Sequence, residues 1–356
     1  MRTMVWMAMC GCLVAGLSVQ VIGEEKMSTG AAVPRVFDVR AFGAVADDKT
    51  DNTTAFAACL KAVIEAGGGR MYLPAGVYRG RIIIPAIEPP KWIALEIVGE
   101  SQPASIFGTV GRINLPNNNT IVKSLDTSGP AVISAMPGAA KFSWVNVVVK
   151  DLEVRTYNDP AIGGIDLEWA VQCRIENVFI NTGVYNVQAS KPTHGTRGLV
   201  TPACDNGGLT VLRNVAVTGF HTAILVNEHT DGDNINLDGN INALEFVMGW
   251  HASRFGRVCA QRNTYALTVT GKCGFSIEQL DIEHVGPGQA DATNSWQTTA
   301  HDINDPGNLG VADVNYWVVL GNVGFSQVFT RNGGASILAR RIGSPPAENP
   351  GTGEKR

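Results

Sequence analysis

Six short segments carry apolar residues mostly at their first and third positions: LEVRT from Leu152, VFINT from Val178, VAVTG from Val215, INLDG from Ile235, VCAQR from Val258 and LDIEH from Leu280. A period of two marks strands that turn one face into a core. The starts lie 26, 37, 20, 23 and 22 residues apart. Recurrence at this length predicts a solenoid of stacked coils, with the longer intervals holding looped-out insertions. A second apolar segment begins eight residues after three successive starts, as AILV at Ala223, ALEF at Ala243 and ALTV at Ala266. The shared register predicts that these three alanines stack.

The pattern changes between Phe37 and Gly80, FDVRAFGAVADDKTDNTTAFAACLKAVIEAGGGRMYLPAGVYRG. Phe56, Cys59, Leu60, Val63 and Ile64 follow helical spacing, Asp51 or Asn52 stands at the N-cap, and Gly67 to Gly69 stop the helix. RMYL reads as a strand, Pro74-Ala75-Gly76 as a turn and VYRG as the next strand. Asp47, Asp48 and Asp51 read as turn and cap residues rather than catalysts.

From Phe37 to Tyr78 this stretch resembles the N-terminus of the pectate-lyase-like superfamily, which includes rhamnogalacturonases and epimerases. The resemblance implies an all-β, single-chain right-handed parallel β-helix with an N-terminal capping α-helix that closes the open end of the coil. It also implies a carbohydrate-active protein, because both lyases and glycoside hydrolases occur on this scaffold. The β-helix domain is expected over residues 35–343, with a disordered tail over 344–356, PPAENPGTGEKR from Pro345 being its core.

Composition narrows the setting. Net charge is −4 without a basic or acidic block, so a nucleic-acid partner is not expected. The 40 glycines suit many tight turns. One arginine precedes an apolar run from Met4 to Gly23, followed by Glu24 and Glu25. This reads as a signal peptide over residues 1–23, giving a secreted or periplasmic protein with no stable membrane insertion after its removal; the alternative is a membrane anchor. The five later cysteines lack CxxC spacing, which argues against a zinc site and leaves Cys259–Cys273 as a conceivable bridge.

The stretch NEHTDGD, Asn227 to Asp233, concentrates acids and a histidine between two strand segments. Extending the alanine register past the strand ends lays His229 over Gly249 and Lys272, and Asp231 over His251. The interval of 37 residues brings Lys191 beside Glu228 and His194 beside Asp231. An acid next to a histidine fixes its tautomer and shifts its pKa, which a proton-transfer site needs. Asp231 and His251 are therefore the expected central pair. Arg254 or Lys272 would neutralise a uronate carboxylate, Glu228 would orient the basic groups, and His229, His194 and Lys191 would bind substrate. Glu228, Asp231 and Asp233 are hard oxygen donors, so Ca2+ is a possible cofactor and no other is indicated.

A second outward ladder runs Asn181, Thr218, Asp238, Gln261, Glu283. Asp281 and Glu283 stand about 7 Å apart on one face of their strand, with His284 next, and could be a glycosidase's two carboxylates. The polygalacturonase motifs of the resembling family are absent at the comparable places, which disfavours that branch. Gly286 to Gly310 reads as a polar loop beside the groove, contributing Trp296 to substrate contacts. The expected activity is β-elimination on a uronic-acid-containing, acidic polysaccharide. A hydrolase on the same scaffold and a non-catalytic glycan-binding protein are the alternatives.

Overall fold

The six strand starts do stack. Leu152 pairs with Val178, Val178 with Val215, Val215 with Ile235, Ile235 with Val258 and Val258 with Leu280, all in parallel. Ile224, Leu244 and Leu267 likewise stack in a second sheet, which places Ala223, Ala243 and Ala266 in one column as the spacing predicts. The computed structural model describes residues 35–103, 119–124, 129–156, 162–182, 196–204, 209–247, 249–261, 263, 265–271, 273–284, 301–304, 310–320 and 337–341. The expected signal peptide and C-terminal tail lie outside these residues.

The chain is a right-handed parallel β-helix. One sheet stacks Val36–Asp38, Gly69–Leu73, Ile93–Gly99, Ser143–Arg155, Ala170–Asn181, Thr210–Thr218, Thr230–Asp238, Gly249–Gln261, Cys273–His284, Gly310–Leu320 and Ile337–Arg341, with three short strands branching from its N-terminal end. The other stacks Ile82–Ile84, Ile133–Ala135, Ile165–Asp166, Arg197–Val200, Thr222–Val226, Asn242–Phe246, Tyr265–Val269 and His301–Asn304. The last strand lies within the stretch read as a loop, so four residues of that loop form a rung against Tyr265–Val269.

Most long strands are two strands joined by a left-handed residue. Asp151, Asn177, Asn214 and Asn234 have φ of 57°, 55°, 53° and 54°. Such a residue shifts the alternation by one, so Ile175 and Val178, or Leu212 and Val215, both face inward although three positions separate them. Asn and Asp tolerate this conformation because their short side chains bond locally. Here the bonds run between coils. The Nδ2 of Asn177 donates to Oδ1 of Asp151 at 2.8 Å, Asn214 to Asn177 at 2.9 Å, and Asn234 to Asn214 at 2.8 Å.

Inside, like residues stack on like: Leu152, Val178, Val215, Ile235, Val258 and Leu280 are all buried, as are Ile224, Leu244 and Leu267. Phe246 stacks on Phe275 at 3.8 Å between centroids and meets Phe255 edge-on at 5.9 Å. Gly232 faces inward on the rung before Phe255, and a Cβ there would overlap the Phe255 ring. The absent side chain is the space the ring occupies.

At the N-terminal end the helix Thr53–Glu65 buries Ala55, Phe56, Cys59, Leu60 and Val63. Asp51 accepts from the Thr53 backbone N–H at 2.9 Å. Asn52 points elsewhere: its side chain accepts from Val45 N–H at 2.6 Å and donates to the carbonyls of Val45, Thr50 and Arg79. Asp47 accepts from the N–H groups of Lys49 and Thr50, and Asp48 pairs with Lys123 at 3.2 Å. All three acids are structural, as expected. Cys259 and Cys273 are not bridged; the five cysteines among the described residues are all thiols.

Candidate functional site

Each coil presents three outward faces. The first belongs to the half-strands before the left-handed residue, and it is laced by ion pairs between neighbouring rungs. Arg70 meets Glu96 at 2.7 Å, Arg213 meets Asp231 at 3.2 Å, and Arg254 meets Glu278. These are solvated surface pairs of small individual worth.

NEHTDGD leads onto this face. Asn227 to His229 form a turn and Thr230 to Asp233 open the strand Thr230–Asp238. Asp231 and Asp233 point outward while Gly232 faces in. Asp231 shares its rung with Val211 before and Arg254 after, so it does not stand over His251. The reason is turn length. Val226 shares its rung with Phe246, but the strand that follows Phe246 begins at Gly249 and carries a register shift between Gly249 and Ser253, so the register slips by three. His229 is displaced from Gly249 by the same slip. Arg254 is a strand residue rather than a loop residue, and its guanidinium already holds Glu278. Glu228 is fully buried with its Oε2 3.6 Å from Nδ1 of His229. Asp233 accepts from the Arg257 backbone N–H at 3.1 Å. Glu228, Asp231 and Asp233 therefore do not form one donor set for Ca2+. Among the described residues no cluster of three or more His, Cys, Asp or Glu could hold a metal. Lys191, His194, Lys272 and Trp296 lie outside the described residues, and His251, Glu283 and His284 are described in backbone alone.

The other two faces flank the seam where the larger sheet hands over to the smaller one. Residues 219–221, 239–241 and 262–264 cross that seam tightly in three coils. Residues 182–196 and 285–300 cross it with long insertions. Insertions collected on one side of a solenoid mark its binding side.

On the larger sheet beyond the left-handed residues, several outward side chains are buried and others half-buried. Phe179 and Ala216 occupy adjacent rungs there. Glu153, almost wholly buried, accepts from Nδ2 of Asn181 at 2.8 Å and from Arg155. The backbone positions Asn181, Thr218, Asp238, Gln261 and Glu283 stack rung on rung as the spacing predicts. Asp281 is also buried, and burial raises its pKa against the opposing pull of Gln279 and of Arg257, whose Nε lies 3.4 Å away.

On the smaller sheet Ser134, Asp166, Val200, Leu225, Glu245 and Thr268 form one outward column. Burial raises the pKa of Asp166. Burial, and then repulsion from Asp166, raise that of Glu168; Arg197 pulls both down. Leu167 between them turns into the core, and Asp166 Oδ1 accepts from Glu168 N–H at 3.1 Å. The neighbouring Ser134 hydroxyl is buried without a hydrogen-bond partner. Two carboxyls with raised pKa values, an unsatisfied hydroxyl and a nearby guanidinium make this the candidate site. The sequence reading missed Asp166 and Glu168. The alternation Ile165, Asp166, Leu167, Glu168 was the available signal, but it falls inside the 26-residue interval between Leu152 and Val178, where no second strand had been laid.

A profile of the family described as rhamnogalacturonase A/epimerase, pectate lyase-like, matches residues 36–263. A mannuronan C5-epimerase of Azotobacter vinelandii is 29% identical over 133 residues, which are 37% of this chain and 9% of the epimerase. Alginate lyase 7 of the same organism is 51% identical over 43 residues, 12% of this chain and 5% of the lyase. The chain thus spans a tenth or less of either relative. Among solved structures, the A-module of another mannuronan C-5 epimerase from Azotobacter vinelandii superposes with a TM-score of 0.43 at 14% identity, covering 86% of this chain and 91% of the module.

Proposed function

The chain belongs to the rhamnogalacturonase A/epimerase, pectate lyase-like family, and from that premise we propose that it is a secreted polysaccharide lyase that cleaves a uronate-containing polymer by β-elimination. The Asp166–Glu168 pair carries the reading. A uronate C5–H is acidic only when its carboxylate is neutralised, a part suited to Arg197. One carboxyl, ionised, removes the C5 proton; the electron pair forms the C4–C5 double bond, the C4–O bond breaks, and the other carboxyl, protonated, hands its proton to the departing oxygen. Raised pKa values make such a division of labour workable near neutral pH. Both acids flank one core-facing leucine, so they address one face of a sugar. Syn elimination needs one face; C5 inversion needs a base on one face and a proton donor on the other.

The substrate class follows the relatives' names, mannuronan and alginate, both uronate polymers. The test is incubation with mannuronan-rich alginate, guluronan-rich alginate and polygalacturonate. Unsaturated products absorbing in the ultraviolet are expected from one of them, and Asp166→Asn should lower kcat at least about a hundredfold. New reducing ends without unsaturation would establish a hydrolase instead, C5 inversion without cleavage an epimerase, and no change in any polymer a binding protein.

A further inference from the structure

The turns that return the chain from the smaller sheet to the larger one carry three tryptophans on three successive coils. Trp92 precedes Ile93, which pairs with Val145, so Trp92 lies beside Trp144; their ring centroids are 5.2 Å apart. Trp169 follows one coil later, where its carbonyl accepts from Ser143 N–H at 2.7 Å. Trp92 and Trp169 directly precede strands of the larger sheet, Trp144 is the second residue of one, and Trp169 directly follows Glu168.

These turns are built. Ile87 carbonyl accepts from Trp144 N–H at 2.9 Å, Ile87 N–H donates to the Ser143 hydroxyl at 2.9 Å, and Glu88 accepts from Ala139 N–H at 2.7 Å. These bonds tie residues 85–92 to residues 136–144. Yet Trp92 remains 48% exposed, an unusual outlay of apolar surface for a ring with that much fixed support. The exposed Lys91 and Lys141 stand on the same two segments.

We propose that Trp92, Trp144 and Trp169 form a track of sugar-binding positions for an anionic polysaccharide, running along the solenoid axis to the Asp166–Glu168 pair. A pyranose offers an apolar C–H face that packs on an indole, and uronate carboxylates at its rim meet Lys91 and Lys141. Coils repeat about every 4.8 Å, close to the advance of one sugar along an extended chain, so successive rings meet successive tryptophans. The track deepens the proposed function, on which its choice of polymer rests. It implies that the enzyme holds its polymer by sugars remote from the bond that breaks, which raises affinity for long chains over short ones.

The experiment is a titration of the full chain with alginate polymer, followed by intrinsic tryptophan fluorescence and by calorimetry, with Trp92→Ala and the Lys91→Ala, Lys141→Ala double variant alongside. Both substitutions fall on exposed side chains, and circular dichroism confirms the fold of each. Trp92→Ala should weaken polymer binding about tenfold and raise KM for polymer with kcat unchanged. The lysine variant should flatten the salt dependence of binding. An unchanged Kd in Trp92→Ala, or equal binding of a neutral mannan, overturns the track. Binding that depends on Trp92 in a chain that turns over no polymer leaves the track standing and removes the lyase reading. Turnover with a Kd indifferent to Trp92 does the reverse.

Discussion

Gly232 and its two acidic neighbours show how three adjacent positions take separate duties. The glycine makes room for Phe255, and the acids face water. Gly232→Ala should therefore cost about 1–3 kcal/mol, read as a lower denaturation midpoint with an unchanged slope, because the Phe255 ring must give up its edge-on contact with Phe246. Asp231→Asn should leave turnover within about twofold, since its carboxylate is engaged by Arg213 on the solvated face. A hundredfold loss in that variant would return the active groove to NEHTDGD. Asp166 behaves differently. The fold raises the pKa of both Asp166 and Glu168, so their contribution to stability is present below the ordinary carboxylate values of 3.8 and 4.5 and is lost as pH rises through the raised folded values. Asp166→Asn removes that loss. Its Tm relative to the native chain should climb between acid and neutral pH while activity falls, and a Tm difference flat across that window would contradict the buried carboxyl. The larger part of this perturbation was not readable from IDLE, because burial produces it; only the repulsion between Asp166 and Glu168 is local.

The half-strand pair is the element that recurs, and its hinge is the left-handed Asx residue. Asn214 donates to Asn177 and accepts from Asn234, so Asn214→Ala breaks bonds to both neighbouring coils and forces alanine into a conformation it avoids. Asn214→Gly loses the same bonds without the strain. The alanine variant should be less stable than the glycine variant by about 1 kcal/mol, measured by urea unfolding. The signal was present in the sequence: Asp151, Asn177, Asn214 and Asn234 each stand immediately before one of the stacked strand starts. The stacked starts themselves were fully legible because core residues of period two admit a single register. The register failed only past the strand ends, where turns of unequal length intervene, and that is why Asp231 was laid over the wrong residue.

At the scale of the molecule each coil touches chiefly the coils before and after it, so cohesion is built from neighbour interfaces rather than from one central nucleus. The stacked-coil architecture was legible for that reason: a repeating interface writes the same pattern into the sequence many times. The site was legible only in part, because it is made where the repeat is broken. The connections after Asn181 and His284 leave the same seam, and the strands on both sides of it keep register; Asn181 pairs with Thr218 and Arg197 with Thr222 across connections of very different length. The scaffold is thereby indifferent to the cargo carried at the seam. Residues 183–195 can be exchanged for a connection of another length and composition without re-threading a single rung, which makes this seam the place where one such coil could acquire a new polymer to act on while inheriting its stability unchanged.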